Sequence, residues 1–158
     1  MTGAASVRYF YERAQIEISR LNRYKRPLTL VYLDLDNFKM INDRLGHAIG
    51  DKLLRAVTEN IQRQIRPTDI FARLGGDEFA LLMPETSAVE VKQIIGRIHS
   101  SLVKEMLTNG WMVTFSIGVV TYHQMPKSVD EMVRLADSVM YSVKTSTKNG
   151  VCYQVYPG

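Results

Sequence analysis

The chain has 158 residues, of which 46% are hydrophobic and 23% charged, with a formal net charge of +4 and one cysteine, Cys152. This length can bury one core but not two, so we expect one domain over residues 1–158, without a membrane-spanning run or a signal peptide. The lone cysteine excludes an internal disulfide, which favours a cytoplasmic location, and the mild positive charge suits a polyanionic ligand without indicating a nucleic-acid polymer.

Hydrophobic periodicity predicts the elements of the first half of the chain. An amphipathic helix is predicted over residues 6–23, and the nearly unbroken apolar run 28–35 is typical of a buried central strand. Residues 49–65 repeat apolar side chains on one helical face. Residues 70–73 and 78–83 are interpreted as the two strands of a hairpin.

The second half continues this alternation. Two serine–glutamate pairs with capping-box spacing predict helix starts, namely Ser87 with Glu90 and Ser128 with Glu131. Residues 112–122 and 151–155 are predicted strands. The whole order predicts an α/β sandwich of the α+β type, in which helices cover a mixed, largely antiparallel central sheet of about five strands.

Acidic residues interrupt the apolar pattern at two strand ends. Asp34 and Asp36 directly follow the first apolar run, whereas Asp77 and Glu78 follow two glycines at the hairpin tip. If the two strands are neighbours, Asp34 and Asp77 meet and offer the oxygen ligands that magnesium requires for phosphoryl transfer. Spacing alone leaves open an alternative, in which these aspartates only end strands or begin turns.

The residue identities at both interruptions match one family. Residues 73–79 read RLGGDEF, and residues 34–43 read DLDNFKMIND, followed by Gly46-His47 and Gly50-Asp51. Further landmarks of the pattern are Ser116-Ile117-Gly118, Ala136-Asp137, Tyr141 and Lys144. Over nearly its whole length the chain resembles the GGDEF family, the catalytic domain of diguanylate cyclases. This resemblance implies a palm-like fold of the nucleotidyl-cyclase type.

The resemblance also implies the reaction, in which two GTP molecules form cyclic di-GMP and two pyrophosphates. Asp34, Asp77 and the carbonyl of Leu35 would hold Mg²⁺ or Mn²⁺, with two ions in each half-site. The catalytic residues implied are Asp77 and Glu78, with Glu78 as a base or further ligand that helps to deprotonate the ribose 3′-hydroxyl.

The same resemblance assigns contacts with the substrate. The backbone amides of Asp36, Asn37 and Phe38 would cradle the phosphates, although an ordinary turn is the alternative there. Gly75 and Gly76 would let the backbone come close to a phosphate.

Guanine recognition is assigned to Asn42 and Asp51, because an amide can pair with the base edge and a carboxylate can accept from donors that adenine lacks. His47 is assigned a supporting substrate contact. The alternatives are a helix cap for Asn42 and a local hydrogen bond for His47.

Two basic constellations complete the assignments. Lys144 and Lys148 are expected to face the triphosphate from one side of the last helix, or alternatively to complement its dipole. The family usually has arginine where Lys148 stands, so a weaker triphosphate contact is implied. Arg66 and Asp69 match an RxxD inhibitory site completed by Arg97, which implies feedback inhibition by cyclic di-GMP. A surface ion pair is the alternative.

The implied reaction needs two facing half-sites, so a homodimer is expected for catalysis. This favours an output domain excised from a longer protein; the domain itself is not expected to contact a membrane, although its parent could be anchored in one. Met1-Thr2-Gly3-Ala4 resembles the tail of the family's DxLTGLxNR motif without its leading aspartate, and Ser6-Val7 replaces the usual Asn-Arg.

Two other functions are compatible with parts of the sequence. A catalytically silent GGDEF domain would act as a receptor for GTP or cyclic di-GMP, but its usual hallmark is a corrupted signature, and the signature here is intact. A polymerase palm or an RNA-binding module would explain paired acids and a basic chain, but no aromatic RNA-binding signature is present.

Overall fold

A computed structural model describes residues 3–158. The two N-terminal residues of the entry-motif resemblance, Met1 and Thr2, lie outside the described residues. The elements in chain order are α1 (Val7–Tyr24), β1 (Leu28–Asp36), α2 (Phe38–Leu45), α3 (His47–Gln62), β2 (Ile70–Gly75), β3 (Glu78–Pro84), α4 (Ala88–Asn109), β4 (Thr114–Tyr122), α5 (Val129–Lys144) and β5 (Gly150–Tyr156).

The strands form one five-stranded sheet in the order β2-β3-β1-β4-β5. The pairs β2–β3, β3–β1 and β1–β4 are antiparallel, and β4–β5 is parallel. The predicted mixed, largely antiparallel sheet is therefore confirmed. All nine residues of β1 are buried, as expected for a central strand covered on both faces.

Helices cover both faces of the sheet and create two hydrophobic layers. On one face, α1 and α5 pack against side chains such as Leu30 of β1. On the other face, α2, α3 and α4 pack against side chains such as Val31 and Leu33. Because successive residues of a strand point to opposite faces, the unbroken apolar run of β1 supplies both layers.

The helix starts follow the predicted caps. The Ser87 side chain accepts a hydrogen bond from the Glu90 N–H, and the Glu90 side chain accepts one from the Ser87 N–H, which forms a complete capping box. Ser128 caps α5 by accepting from the Glu131 N–H. None of the helices in the described part of the chain is both long enough and apolar enough to cross a bilayer.

The structure corrects one stretch of the sequence interpretation. The short helix α2 was not predicted, and the helix predicted over residues 49–65 begins earlier, at His47, and ends at Gln62. Gly46 separates α2 from α3 with a φ of +90°, a conformation that glycine adopts without a Cβ clash. The remaining helices and strands lie where predicted, with ends shifted by one or two residues.

Candidate active site

The end of β1 lies directly beside the β2–β3 turn. Asp34 pairs with Glu78 in the antiparallel register, and the Leu35 N–H donates to the Asp77 carbonyl at 3.2 Å. The two acidic segments of the sequence therefore meet at one end of the neighbouring strands β1 and β3, as the adjacency of these strands requires.

The turn between β2 and β3 is open to approach from outside. Gly75 and Gly76 are exposed, and no other atom lies within 4 Å of the position that a Cβ would take on either one. The Arg73 side chain fixes the turn by donating to the Gly76 carbonyl at 2.9 Å. Since protein packing does not require these glycines, the free space suits a ligand that comes close to the backbone.

Asp34 is a buried carboxylate with an unusual environment. Its Oδ2 lies 3.3 Å from the Lys144 ammonium, whereas its buried Oδ1 has no hydrogen-bond partner among the described residues. Burial and the nearby Asp77 carboxylate raise the pKa of Asp34 to about 7, against the opposing effect of Lys144. An additional positive charge at this point would satisfy Oδ1 and relieve the repulsion from Asp77.

These donors fit a hard divalent cation that shares its shell with substrate. Residues 3–158 contain no cluster of three or more His, Cys, Asp or Glu side chains that could enclose a metal ion. Mg²⁺ usually keeps several waters and binds proteins through one or two carboxylates plus substrate phosphates. The unpartnered Oδ1 of Asp34, the Asp77 carboxylate and the Leu35 carbonyl are consistent with that mode.

Lys144, the last residue of α5, lies among the acidic groups at the end of β1. Its Nζ donates to the Leu35 carbonyl at 3.2 Å and is 3.3 Å from Asp36 Oδ1, in addition to its ion pair with Asp34. The ammonium therefore partly neutralises a buried acidic cluster.

The expectation that Lys148 shares a helical face with Lys144 is wrong. The helix ends at Lys144 because the following N–H groups leave the i→i−4 pattern: the Ser146 N–H donates to the Val143 carbonyl at 3.1 Å, and the Lys148 N–H returns to the same carbonyl at 2.9 Å. Lys148 has a φ of +52° and lies exposed in the turn before β5.

Asp36 has a role that sequence reasoning missed, because only its backbone amide was assigned. Its carboxylate is fully buried and accepts from Thr114 Oγ1 and Ser116 Oγ, both at 2.7 Å, and from the Asn149 N–H at 3.0 Å. Burial raises the pKa of Asp36, but these hydrogen bonds and the Lys144 charge outweigh that effect and lower it. The Ser116-Ile117-Gly118 motif was the available signal, since its serine lies on the strand next to β1.

The segment after Asp36 forms the start of α2. Asn37 has a left-handed φ of +68° and no side-chain hydrogen bond that caps the helix, which begins at Phe38. The first N–H groups of a helix lack intrahelical partners and favour anions. This geometry supports the phosphate cradle expected over Asp36, Asn37 and Phe38.

The candidate guanine contacts come from the packing of α2 against α3. Asn42 is half-buried on α2, and its Oδ1 fills the space that a Cβ on Gly50 would occupy. Asp51 follows Gly50 and is exposed, as is His47 at the start of α3. The N-caps of α2 and α3 are Asn37 and Gly46, so the alternative that Asn42 caps a helix N-terminus is wrong.

Glu78 has a hydrogen-bond partner that the sequence did not suggest. The Tyr32 hydroxyl donates to Glu78 Oε1 at 3.1 Å. Burial and the negative charges of Glu78, Asp137 and Asp34 raise the pKa of Tyr32, so the hydroxyl stays protonated as a donor. Tyr32 precedes Asp34 by two residues on β1, and period-2 alternation places both on one face.

The RxxD pair is more than a surface ion pair. The Arg66 guanidinium contacts both carboxylate oxygens of Asp69, at 3.0 and 3.4 Å, and also donates to Pro84 O and Thr86 Oγ1. The Asp69 side chain is 1% exposed and that of Arg66 is 48% exposed. Arg97 lies exposed on α4.

Comparison with known proteins supports one family. Residues 1–150 match the family model described as diguanylate cyclase, GGDEF domain. Probable diguanylate cyclase DgcC of Escherichia coli K12 is 34% identical over 151 residues, which cover 94% of this chain and 41% of that protein. Diguanylate cyclase TpbB of Pseudomonas aeruginosa is 34% identical, over 94% of this chain and 35% of that protein. The chain thus spans well under half the length of these curated relatives.

Solved structures show the same architecture. The GGDEF domain of TpbB (YfiN) from P. aeruginosa superposes with a TM-score of 0.86 at 30% identity, covering 97% of this chain and 98% of that one. The GGDEF domain of DgcB from Caulobacter crescentus, solved in complex with c-di-GMP, gives a TM-score of 0.84 at 25% identity over 96% of this chain and 89% of that one. Together with the geometry at the end of β1, these matches show that the chain belongs to the GGDEF family of diguanylate cyclase domains.

Proposed function

We propose that this domain condenses two GTP molecules into cyclic di-GMP and two pyrophosphates. The observation that carries the proposal is the position of Asp34 at the end of β1 beside the open β2–β3 turn, where its buried Oδ1 has no hydrogen-bond partner among the described residues and the nearby Asp77 carboxylate opposes its ionisation. Each ribose 3′-oxygen would attack the α-phosphorus of the other GTP, and each P–O bond to the departing pyrophosphate would break.

Asp34, Asp77 and the Leu35 carbonyl are the proposed holders of two Mg²⁺ or Mn²⁺ ions in each half-site. When bound, such ions would polarise the α-phosphate and lower the pKa of the 3′-hydroxyl. Glu78 would receive the proton from that hydroxyl, while its hydrogen bond from Tyr32 orients the carboxylate. The amides of Asp36, Asn37 and Phe38 would hold the phosphates, close to the open backbone at Gly75 and Gly76.

The base would be recognised by groups on α2 and α3. The Asn42 amide would pair with the guanine edge, and the exposed Asp51 carboxylate would accept from the exocyclic amine and ring N–H. His47 would support the nucleotide from the start of α3. Lys144 and Lys148 would reach the phosphates from the end of α5 and from the following turn.

Assembly and regulation are parts of the same proposal. One half-site binds one GTP, so two domains would meet as a homodimer, in the cytoplasm where GTP is available. Cyclic di-GMP would bind at Arg66 and Asp69, with Arg97 from α4, and inhibit its own synthesis. Residues 1–158 would act as one output unit of a longer protein.

Product formation tests this proposal against the silent-receptor alternative. The domain, fused to a dimerising coiled coil, is incubated with GTP and Mg²⁺, and cyclic di-GMP is measured by mass spectrometry. We expect product from the unaltered domain and, because a metal ligand is lost, a decrease of about 100-fold or more in Asp77→Asn. GTP binding without any cyclic di-GMP would overturn the cyclase assignment and favour a receptor.

A further inference from the structure

The turn between α5 and β5 is held in a strained conformation next to the active site. Lys148 and Asn149 are consecutive residues with left-handed φ values of +52° and +41°. Residues other than glycine adopt this conformation at a cost in free energy, so neighbouring groups must stabilise it. Gly150 then begins β5 opposite Ser116 of β4.

Asn149 is held by two hydrogen bonds, one from its backbone and one to its side chain. Its N–H donates to the buried Asp36 Oδ2 at 3.0 Å, at the active-site end of β1. Its side-chain Oδ1 lies 2.9 Å from Nε2 of His99, which belongs to α4. Because an amide oxygen only accepts hydrogen bonds, the imidazole Nε2–H must be the donor.

Asp36 connects this turn to the rest of the site. Its carboxylate also holds Thr114 and Ser116 of β4 and lies 3.3 Å from the Lys144 ammonium, which in turn contacts the Leu35 carbonyl. A displacement of Asn149 would therefore disturb the backbone that presents Lys148 and would remove one donor from Asp36.

We propose that His99 and Asn149 are positioning residues that hold the backbone of Lys148 within reach of the triphosphate of bound GTP. Neither side chain contacts the substrate in this proposal, which rests on the assignment of Lys148 to the phosphates. Lysine binds phosphate as a point charge on a long flexible stem, without the planar fork of arginine. Fixing its backbone reduces the conformational freedom that is lost when the ammonium binds.

Binding of a non-reacting substrate analogue tests the inference without requiring turnover. The dissociation constant of the Mg²⁺ complex of GTP with a methylene bridge between its α- and β-phosphates is measured by calorimetry. The proteins compared are the unaltered domain, His99→Phe, Lys148→Ala and the double variant. We expect His99→Phe to weaken binding about three- to tenfold, and to weaken it no further when Lys148 is already alanine, because the two residues act through one contact.

Two further variants separate positioning from folding. His99→Gln keeps an amide donor and should restore affinity to within about twofold. Asn149→Gly keeps the N–H toward Asp36 and tolerates the left-handed φ, but it removes the acceptor for His99, so it should weaken binding as His99→Phe does. A lowered melting temperature with unchanged analogue affinity in these variants would overturn the inference.

The cyclase assignment and this inference can fail separately. Cyclic di-GMP formed by the unaltered domain, together with independent and additive effects of His99→Phe and Lys148→Ala, would overturn only the positioning role. Coupled effects on analogue binding, without any cyclic di-GMP, would overturn only the cyclase assignment. An unaltered domain that neither binds the analogue nor forms cyclic di-GMP would overturn both.

Discussion

The Oδ1 atom of Asp34 is buried and lacks a hydrogen-bond partner within residues 3–158. Burial and the nearby carboxylates of Asp77 and Glu78 oppose the ionisation of Asp34, whereas the Lys144 ammonium favours it. A buried charge of this kind lowers stability unless a cation accompanies it. In the absence of a cation, the buried Asp34 carboxylate is therefore expected to lower the stability of the folded domain, although it provides a preformed metal ligand.

The cost of this buried charge predicts that Asp34→Asn changes the free energy of unfolding in a pH-dependent way in the presence of EDTA. The pKa of Asp34 is raised to about 7 in the folded domain, so the folded state binds more protons than the unfolded state between about pH 4 and 7. Stability from this residue is therefore present at low pH and lost as the pH rises through 7. At pH 8 we expect Asp34→Asn to increase the free energy of unfolding by roughly 1–3 kcal/mol.

Urea denaturation at pH 5 and pH 8 measures this difference. The advantage of Asp34→Asn should be clearly smaller at pH 5, where Asp34 of the folded domain is still protonated, than at pH 8, where it is ionised. A variant that is less stable than the unaltered domain at pH 8, with EDTA present, would contradict the electrostatic account of this residue.

Arg66 allows a second prediction at the residue scale, because it neutralises the buried Asp69 and is also proposed to bind the product. Arg66→Ala should relieve inhibition by added cyclic di-GMP. It should also destabilise the domain by roughly 1–3 kcal/mol, since the buried Asp69 carboxylate loses the guanidinium and keeps the hydrogen bond from the backbone N–H of residue 66. Initial rates over a range of cyclic di-GMP concentrations measure the first effect, and denaturation measures the second.

Arg97→Ala is the matched control for this substitution. Arg97 is exposed on α4, so its replacement should leave stability within about 0.5 kcal/mol while also relieving inhibition. Inhibition that persists unchanged in both variants would contradict the binding of cyclic di-GMP at this site.

At the scale of elements, the contact between α2 and α3 sets the position of Asn42. A Cβ at Gly50 would overlap with Asn42 Oδ1, so Gly50→Ala should displace the proposed guanine-reading amide. We expect the KM for GTP to rise about tenfold, which corresponds to one lost hydrogen bond of about 1.4 kcal/mol. Steady-state kinetics with GTP measure this change.

Gly96→Ala is the control for the effect of alanine itself. No other atom lies within 4 Å of a Cβ built at Gly96, on the exposed side of α4. This substitution should stabilise α4 by up to about 1 kcal/mol and leave the KM unchanged. An unchanged KM in Gly50→Ala as well would argue against Asn42 as a guanine contact.

The elements show what the sequence could and could not predict. The buried run of β1 and the capping-box spacings before α4 and α5 are local signals, and the corresponding elements lie where these signals predict. The helix α2 was missed because it has only eight residues and overlaps a motif interpreted for its chemistry. The end of α5 was misjudged because its helical spacing continues to Lys148, whereas the N–H groups of Ser146 and Lys148 both return to the Val143 carbonyl and end the helix earlier.

In the candidate active site, sequence patterns identified the candidate residues, but they did not identify most of the groups with which those residues form hydrogen bonds. The meeting of Asp34 and Asp77 follows from strand adjacency, which the hairpin pattern implied. The burial of Asp36 among Thr114, Ser116 and Asn149 depends on segments about 80 and 113 positions away in sequence, so the Ser116-Ile117-Gly118 motif marked the serine without identifying Asp36 as its partner. The contact of His99 with Asn149 likewise joins two segments that are distant in sequence.

At the scale of the whole molecule, the sheet separates the two proposed sites. The ends of β1 and β3 nearest the β2–β3 turn hold the proposed catalytic groups, and the opposite end holds Arg66, Asp69 and the turn after β3. The order β2-β3-β1-β4-β5 places β1 at the centre, so its acidic end is supported by strands on both sides.

The most direct test of the account quantifies cyclic di-GMP and pyrophosphate together, from GTP and Mg²⁺, over increasing concentrations of the domain. We expect two pyrophosphates for each cyclic di-GMP, and a specific activity that rises with protein concentration as half-sites pair. Pyrophosphate without cyclic di-GMP, or no turnover at concentrations at which GTP binds and the domain is dimeric, would contradict it.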